Sequence, residues 1–184
     1  MGSDKALETI GGESLIRRSV TTLGHFRGDI IVVAGVVRDD LGLHDMPQVK
    51  MVVDTYPNKG PLAGIHGGLK ASNTFYNIVV ACDMPFLDVG LLEYMVGQIE
   101  GYNAVVPRLG DSLEPLHAVY AKNCLKPIET MFSEGDFQTN HLFEKINARY
   151  VEAVEIDRFD PKHVCFFNIN TKSDMDRARE LAAN

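Results

Sequence analysis

The apolar residues of the chain follow two spacings in turn, and these predict alternating strands and helices. Short runs rich in β-branched residues predict strands covered on both faces, at residues 29–34, 49–53, 76–82, 104–106, 116–120, 150–156 and 164–169. Apolar residues at helical spacing predict helices between them, at residues 13–26, 62–71, 89–99, 124–132 and 139–147, with a last helix capped by Ser173. This alternation is typical of an α/β fold, a mostly parallel sheet with helices on both faces.

The composition fits one globular domain and excludes several classes of partner. The 184 residues are 45% hydrophobic and 23% charged, and 18 basic against 25 acidic side chains give a formal net charge of −7. That balance argues against nucleic acid or an anionic membrane surface as a partner, because both bind clustered Lys and Arg. Asp83 interrupts the most hydrophobic stretch, residues 78–87, so no apolar run reaches the ~20 residues of a membrane span. Since no secretory signal or repeat is present, we expect one cytoplasmic domain over residues 1–184.

The cysteines and histidines indicate packing rather than metal binding. Cys82, Cys124 and Cys165 are widely spaced and odd in number, which predicts reduced thiols instead of a disulfide framework or a zinc cluster. None of the six histidines is paired at metal-ligand spacing, so we expect structural roles for all of them, including His66 and His117 within apolar elements.

Two carboxylates directly follow predicted strands, where sheets of this kind bind their ligands. Asp54 comes after the second strand and Asp83 after the third. The Asp83 carboxylate suits Mg²⁺, which takes one or two protein carboxylates and fills its other positions with water and phosphate. The alternative is that Asp83 caps the turn made by Met84 and Pro85.

Three further features have both a functional and a structural interpretation. Residues 60–65 place glycines where a backbone could approach a base or phosphate, or they form a turn alone. Lys5, in a small-residue stretch, could neutralise a triphosphate, or be a solvated terminal lysine. Asn168 and Asn170 alternate in the predicted last strand and so project toward one site. Their amide oxygens could ligate a hard cation or accept from a ribose hydroxyl, or the pair could form a turn before Ser173.

Taken in chain order, these motifs resemble the molybdenum cofactor guanylyltransferase family. They are MGSDKAL at residues 1–7, Asp54, GPLAGI at 60–65, ACDMPFL at 81–87, EPLHAVY at 114–120 and FNINT at 167–171. Each motif is short, but their order and spacing from the first residue to the last helix are together specific. The resemblance implies a Rossmann-like nucleotidyltransferase that moves GMP from GTP to molybdopterin carrying molybdenum, with release of pyrophosphate.

The resemblance also implies roles for individual residues. Lys5 would contact the GTP phosphates and Asp83 would bind Mg²⁺, so these two are the implied catalytic residues. Asn168 and Asn170 would complete the metal and substrate end, with Asn170 a second metal ligand. The nucleoside would be held by Asp54 and by a loop that contains Pro61, Leu62 and Gly64.

The implied substrates are polyanions, although the chain as a whole is acidic. A local field must therefore attract GTP and molybdenum-loaded molybdopterin, and the candidates for it besides Mg²⁺ are Lys5, Lys59 and Arg108. Molybdoenzymes or cofactor-delivery proteins are the protein partners that the resemblance suggests.

The chain departs from the family pattern at its start. The family opens with a strand and a Gly-rich loop, and this chain begins at the Met of the motif that follows them. In a doubly wound sheet the first strand is usually central and its loop supplies amides to the phosphates. We therefore expect this sequence to be an N-terminally incomplete form of the domain, with two unpaired strand edges.

Two other functions remain open from the sequence. The related molybdenum cofactor cytidylyltransferase, or another small-molecule nucleotidyltransferase, is the nearest, although Cys82 before Asp83 and an amide at Asn170 favour the guanylyl enzyme. A non-catalytic nucleotide- or pterin-binding subunit is the other, and the absent phosphate loop is its only support.

Overall fold

A computed structural model of the protein describes residues 5–36, 38, 40–57 and 59–183. Residues 1–4 of the first motif and Asn58 of the predicted loop lie outside that description. The described residues form nine strands: β1 Thr9–Ile10, β2 Glu13–Ser14, β3 Ile30–Ala34, β4 Val49–Val53, β5 Tyr76–Val80, β6 Ala104–Leu109, β7 Ser112–Leu113, β8 His117–Ala121 and β9 Ala148–Glu152. They also form seven α-helices: α1 Leu15–Leu23, α2 Pro61–Ala71, α3 Val89–Gly97, α4 Leu125–Ser133, α5 Thr139–Lys145, α6 Ala153–Ile156 and α7 Lys172–Ala182.

The larger sheet places several strand ends at one edge. Its order is β5, β8, β6, with β7 and β9 both pairing with β6. Because β8 runs antiparallel to both β5 and β6, those two strands run in the same direction, and β9 is parallel to β6. The C-terminal ends of β5, β6 and β9 therefore lie at the same edge. The predicted α/β class is confirmed, with β8 making this sheet mixed.

Helices cover both faces of this sheet, as the continuous apolar strands require. On one face, α2, α4 and α5 pack their apolar residues against β6 and β8, and Tyr120 lies fully buried among them. On the other face, α3 and α6 pack against the alternate residues of β6, β8 and β9. The segment before α7 contributes Cys165 and Phe166 to that second cluster.

The parallel pair β3–β4 forms a separate ladder, and α2 connects it to the larger sheet. A Cβ placed on Gly67 of α2 would lie 3.3 Å from the Val33 side chain of β3, so the helix and the strand approach closely. Ile65 of the same helix packs in the cluster that includes Val79 of β5. In the described part of the chain, β3 and β5 each pair on one side, and most of their residues are only half-buried.

The predicted strand at residues 164–169 is wrong, because local hydrogen bonds organise that segment differently. Residues Val164–Phe166 form a 3-10 helix, preceded by His163 in the left-handed region with φ 54°. The Asp160 carboxylate accepts from the Cys165 main-chain N–H at 2.7 Å. That N–H is therefore taken by a side chain rather than by a neighbouring strand.

Two other predicted boundaries need correction. The strand predicted to reach residue 156 ends at Glu152, where a capping box with Glu155 starts α6. The last helix is capped by Thr171 rather than Ser173, because the Asp174 main-chain N–H donates to Thr171 Oγ1 at 3.1 Å.

The described residues contain no helix with the length and apolar character needed to cross a membrane. The three cysteines are free thiols, as predicted.

Candidate active site

Asp83 lies just beyond the C-terminal end of β5. The segment that contains Asp83 is hydrogen-bonded to two others, one at Leu116 and one at Ile169. The Ala81 N–H donates to the Leu116 carbonyl at 2.9 Å, which holds this segment against the residue that directly precedes β8. The Met84 N–H donates to the Ala81 carbonyl at 3.4 Å, so the turn after the strand is closed by main chain. No described residue pairs with the Asp83 carboxylate. Among the described residues, no hydrogen bond to this carboxylate supports the turn-capping alternative.

The segment that carries the two asparagines is bonded directly to Asp83. The Ile169 N–H donates to the Asp83 carbonyl at 3.0 Å, which holds Asn168 and Asn170 beside the end of β5. The Asn168 side-chain nitrogen donates to the Phe166 carbonyl at 3.3 Å, and this leaves its amide oxygen directed away from that bond. The strand expected to carry both asparagines is absent, and that they project toward one site stays a prediction.

Lys5 reaches the same place from the other end of the chain. Its Nζ donates to Asn170 Oδ1 at 2.9 Å. The Asp174 carboxylate accepts from the Asn170 and Thr171 main-chain N–H groups at 3.0 and 2.8 Å. These bonds, first that from Asn170, lower the pKa of Asp174 and keep it ionised. The structure thus brings Lys5 and Asn170 into contact, next to the main-chain bond between Ile169 and Asp83.

Cys82 is the site's neighbouring thiol and stays protonated. Burial raises its pKa first, and the adjacent charge of Asp83 raises it further. A neutral thiol is a poor nucleophile and a poor hard-metal ligand, so Cys82 adds packing rather than chemistry.

The predicted nucleoside loop is shaped by its own hydrogen bonds. The Asp54 N–H donates to the Ala34 carbonyl at 2.8 Å, and Asp54 Oδ1 accepts from the Tyr56 N–H at 2.8 Å. Gly60 has φ 78°, a conformation that glycine adopts readily, and Pro61 follows it in the first turn of α2. The Leu62 side chain is fully buried in the core, so its predicted nucleotide contact would come from its backbone.

A cluster of aromatic rings anchors this loop, and sequence reasoning missed it. The Tyr56 ring lies 4.5 Å from that of Phe132 and 5.4 Å from that of His66, centroid to centroid. Phe132 in turn stacks on Phe137 at 5.1 Å, and Lys59 Nζ lies 4.6 Å above the Phe137 ring. The members come from three distant segments with no common spacing, so no sequence signal could have grouped them.

Glu114 also lies in this region, and the sequence analysis assigned it no role. Its N–H donates to the Pro107 carbonyl at 3.1 Å, which places it between the ends of β5 and β6. Burial raises the pKa of its carboxyl. No described side chain pairs with that carboxyl.

The groups around Asp83 fit a hard divalent cation better than a transition metal. No group of three His, Cys, Asp or Glu side chains converges within the described ranges. Mg²⁺ needs no such group, because it is typically held by one or two carboxylates together with substrate phosphates and water. The unpaired Asp83 carboxylate and the nearby amide oxygens of Asn168 and Asn170 are donors of that kind.

Comparison with known proteins identifies relatives of the chain as a whole. The model of the MobA-like NTP transferase domain matches residues 1–151. A probable molybdenum cofactor guanylyltransferase of Pelotomaculum thermopropionicum is 37% identical over 184 residues, covering 100% of this chain and 88% of the relative. The molybdenum cofactor guanylyltransferase of Desulfosudis oleivorans is 32% identical over 178 residues, covering 96% and 86%.

Solved structures agree with these relatives. Molybdopterin-guanine dinucleotide biosynthesis protein A from Archaeoglobus fulgidus superposes with a TM-score of 0.84 and 28% identity, covering 99% of this chain and 92% of that one. The 2-C-methyl-D-erythritol 4-phosphate cytidylyltransferase from Thermus thermophilus superposes with a TM-score of 0.72 at 16% identity, covering 100% and 95%. The second likeness concerns the fold alone.

Proposed function

The chain belongs to the family of MobA-like NTP transferases, and from this premise we propose that it transfers GMP from GTP to molybdopterin carrying molybdenum. The names of the relatives at 37% and 32% identity support the guanylyl over the cytidylyl reaction. We assign the reaction to the C-terminal end of β5 because Lys5 and Asn170 are in contact there, beside Asp83.

The reaction exchanges one phosphorus–oxygen bond for another. A terminal phosphate oxygen of the acceptor attacks the α-phosphorus of GTP and forms the new bond. The bond from that phosphorus to the oxygen bridging the α- and β-phosphates breaks, and pyrophosphate leaves with its electron pair. Because no covalent enzyme intermediate is needed, the protein mainly orients the two substrates and stabilises negative charge.

Lys5 and the asparagines supply the polar groups for that task. The Lys5 ammonium has three donors, one of which contacts Asn170 in this structure, and it can turn them toward phosphate oxygens. Asn168 uses its side-chain nitrogen internally and offers its oxygen to the substrates. Asp54 shapes the loop that, with Pro61, Leu62 and Gly64, supports the nucleoside.

Asp83 and Asn170 would hold Mg²⁺, with Asn170 Oδ1 released from the Lys5 ammonium as the ion binds. When bound, this ion neutralises phosphate charge and so favours both attack and pyrophosphate departure. Asp83 would contribute the carboxylate, which no described residue occupies.

We further propose that residues 1–184 work as a single domain, since Lys5 and Asn170, which are 165 residues apart in the sequence, contact each other in one site. Among the described residues, β3 and β5 each pair with one other strand, and most of their residues are half-buried. Both observations support the view that a further strand fits beside them, next to α2.

Pyrophosphate release from GTP and from CTP, with molybdenum-loaded molybdopterin as acceptor, tests the function. We expect GTP to be used. We expect Asp83→Asn to lower kcat/KM by roughly 100-fold or more, because the transition state loses one charge-stabilising group. Asp29→Asn is the matched control, because Asp29 pairs with Lys50 near the N-terminal ends of β3 and β4, whereas Asp83 follows the C-terminal end of β5. Faster turnover of CTP would replace the guanylyl assignment, and an Asp83→Asn enzyme as active as Asp29→Asn would remove Asp83 from the site.

A further inference from the structure

A polar cavity that is open to solvent lies at the C-terminal ends of β6 and β9. It has a volume of about 430 Å³ and is lined by Arg108, Gly110, Asp111, Leu113, Tyr150 and Glu152. Arg108 and Glu152 lie opposite each other in the parallel register. Arg108 Nε donates to Glu152 Oε2 at 3.2 Å, and a second bond joins Nη2 to Oε1. The guanidinium carbon lies 4.6 Å from the Tyr150 ring centroid, so the cation covers one face of the ring.

This cavity shares an edge of the sheet with Asp83. β5 and β6 run in the same direction with β8 between them, so their C-terminal ends are separated by two strand spacings, about 9–10 Å. Glu114 occupies the intervening position, bonded through its N–H to Pro107 of β6. A substrate with its phosphate at Asp83 and a ring system about 10 Å away would span this distance along the edge.

The pair of Arg108 and Glu152 retains hydrogen-bonding capacity on both partners. A guanidinium has five N–H donors and a carboxylate accepts about four bonds, whereas their contact with each other uses two of each. The cavity therefore presents donors and acceptors side by side, next to a flat cation stacked on an aromatic ring. A flat heterocycle whose edge carries an amino and an oxo group is complementary to this arrangement.

We propose that this cavity is the subsite for the pterin ring of the acceptor, with Glu152 accepting from the ring's amino edge and Arg108 donating to its oxo group. The inference rests on the proposed function. Guanine presents a similar edge, but Asp54 of the nucleoside loop follows β4 and is bonded to Ala34 of β3, in the ladder that is separate from the sheet carrying this cavity. The base and the pterin are thus assigned to different sheets.

Three variants test the subsite. Glu152→Gln removes the charge yet keeps an oxygen that can accept at the start of α6, Arg108→Lys keeps the charge but loses the planar fork, and Arg108→Ala removes both. Arg149→Ala is the matched control, because Arg149 forms a similar pair with Glu155 on the opposite face of β9. We expect the KM for molybdenum-loaded molybdopterin to rise about tenfold in the three variants, which corresponds to one lost charge-assisted hydrogen bond, while the KM for GTP and the control stay within about twofold.

Direct binding provides a readout independent of turnover. Fluorescence titration with 2-amino-4-oxopteridine should show tighter binding to the wild type and to Arg149→Ala than to Glu152→Gln. An unchanged acceptor KM together with an unchanged pteridine titration in the three variants would overturn the subsite. A rise confined to the KM for GTP would overturn it as well and assign the cavity to guanine. Failure of the proposed function is distinguishable, because the wild type would then release no pyrophosphate from GTP and acceptor.

Discussion

The main-chain N–H of Ile169 donates to the carbonyl oxygen of Asp83 at 3.0 Å. This bond fixes the asparagine segment against the strand end that carries the implied metal ligand. Because it is a main-chain bond, it depends on the path of the segment rather than on either side chain. Mutations that alter Asp83 or Asn170 should therefore change chemistry before they change the path of the chain.

Replacing Lys5 should impair the reaction without unfolding the protein. Its ammonium contacts the Asn170 oxygen at an exposed position, so its loss costs little stability. We expect Lys5→Met to lower kcat/KM by about 100-fold, since one phosphate-stabilising donor is lost. The measurement is pyrophosphate release, and the control is Lys50→Met, which removes a lysine paired with Asp29 far from the site. Equal activities of the two variants would exclude Lys5 from phosphate binding.

The cap of α7 is a direct test of the corrected helix start. Thr171 Oγ1 accepts from the Asp174 N–H, so Thr171→Ala should lower the free energy of unfolding by about 1 kcal/mol. Ser173 lies inside the helix, and Ser173→Ala should leave that free energy unchanged or raise it slightly. Chemical denaturation of both variants decides the matter; the reverse order of stabilities would restore the sequence-based cap.

His117 should make the protein lose stability in mild acid. Burial lowers its pKa from 6.5 to about 4, against a smaller opposing effect of Asp160. The folded state therefore resists protonation while the unfolded chain takes the proton as pH falls below 6.5. Stability is fully retained above that value, and about 2 kcal/mol is lost between pH 7 and pH 5.

His117→Phe isolates this effect, because neither ring nitrogen has a hydrogen-bond partner in the part of the chain described. Urea denaturation at pH 7 and pH 5 should show a smaller loss in that variant by roughly the same 2 kcal/mol. His25→Phe, at an exposed position, serves as the control. A loss of the same size in wild type and His117→Phe would contradict the assignment.

The aromatic contacts of Tyr56 predict a selective defect in nucleotide binding. Phe132→Leu removes the ring that packs at 4.5 Å from Tyr56 but keeps apolar volume. We expect the KM for GTP to rise about five- to tenfold, because the loop loses an aromatic contact worth roughly 1 kcal/mol. The kcat should change less than twofold. Steady-state kinetics with GTP varied at saturating acceptor measures both, and a fall in kcat alone would show that the cluster serves another purpose.

Much of the fold was predictable because burial determines it. The strand at 117–121 and the helix from Pro61 are covered by apolar layers, and continuous apolar runs report that covering directly. The segment at 164–169 misled the prediction, because its apolar residues fill the core from a 3-10 turn that the Asp160 carboxylate stabilises. A single side-chain bond of this kind, between residues five positions apart, leaves no periodic signal.

The site divides in the same way. Asp83, Lys5 and Asn170 could be singled out because polar residues among apolar strand ends are conspicuous and their motifs are familiar. Arg108, Tyr150 and Glu152 could not be grouped, because their proximity depends on the register of β6 with β9. Register is a property of the assembled sheet.

The contact between Lys5 and Asn170 joins residues separated by 165 positions. During synthesis at about 5–20 residues per second, the chain exposes Lys5 many seconds before Asn170 leaves the ribosome. A nascent chain therefore has no complete site with which to capture GTP.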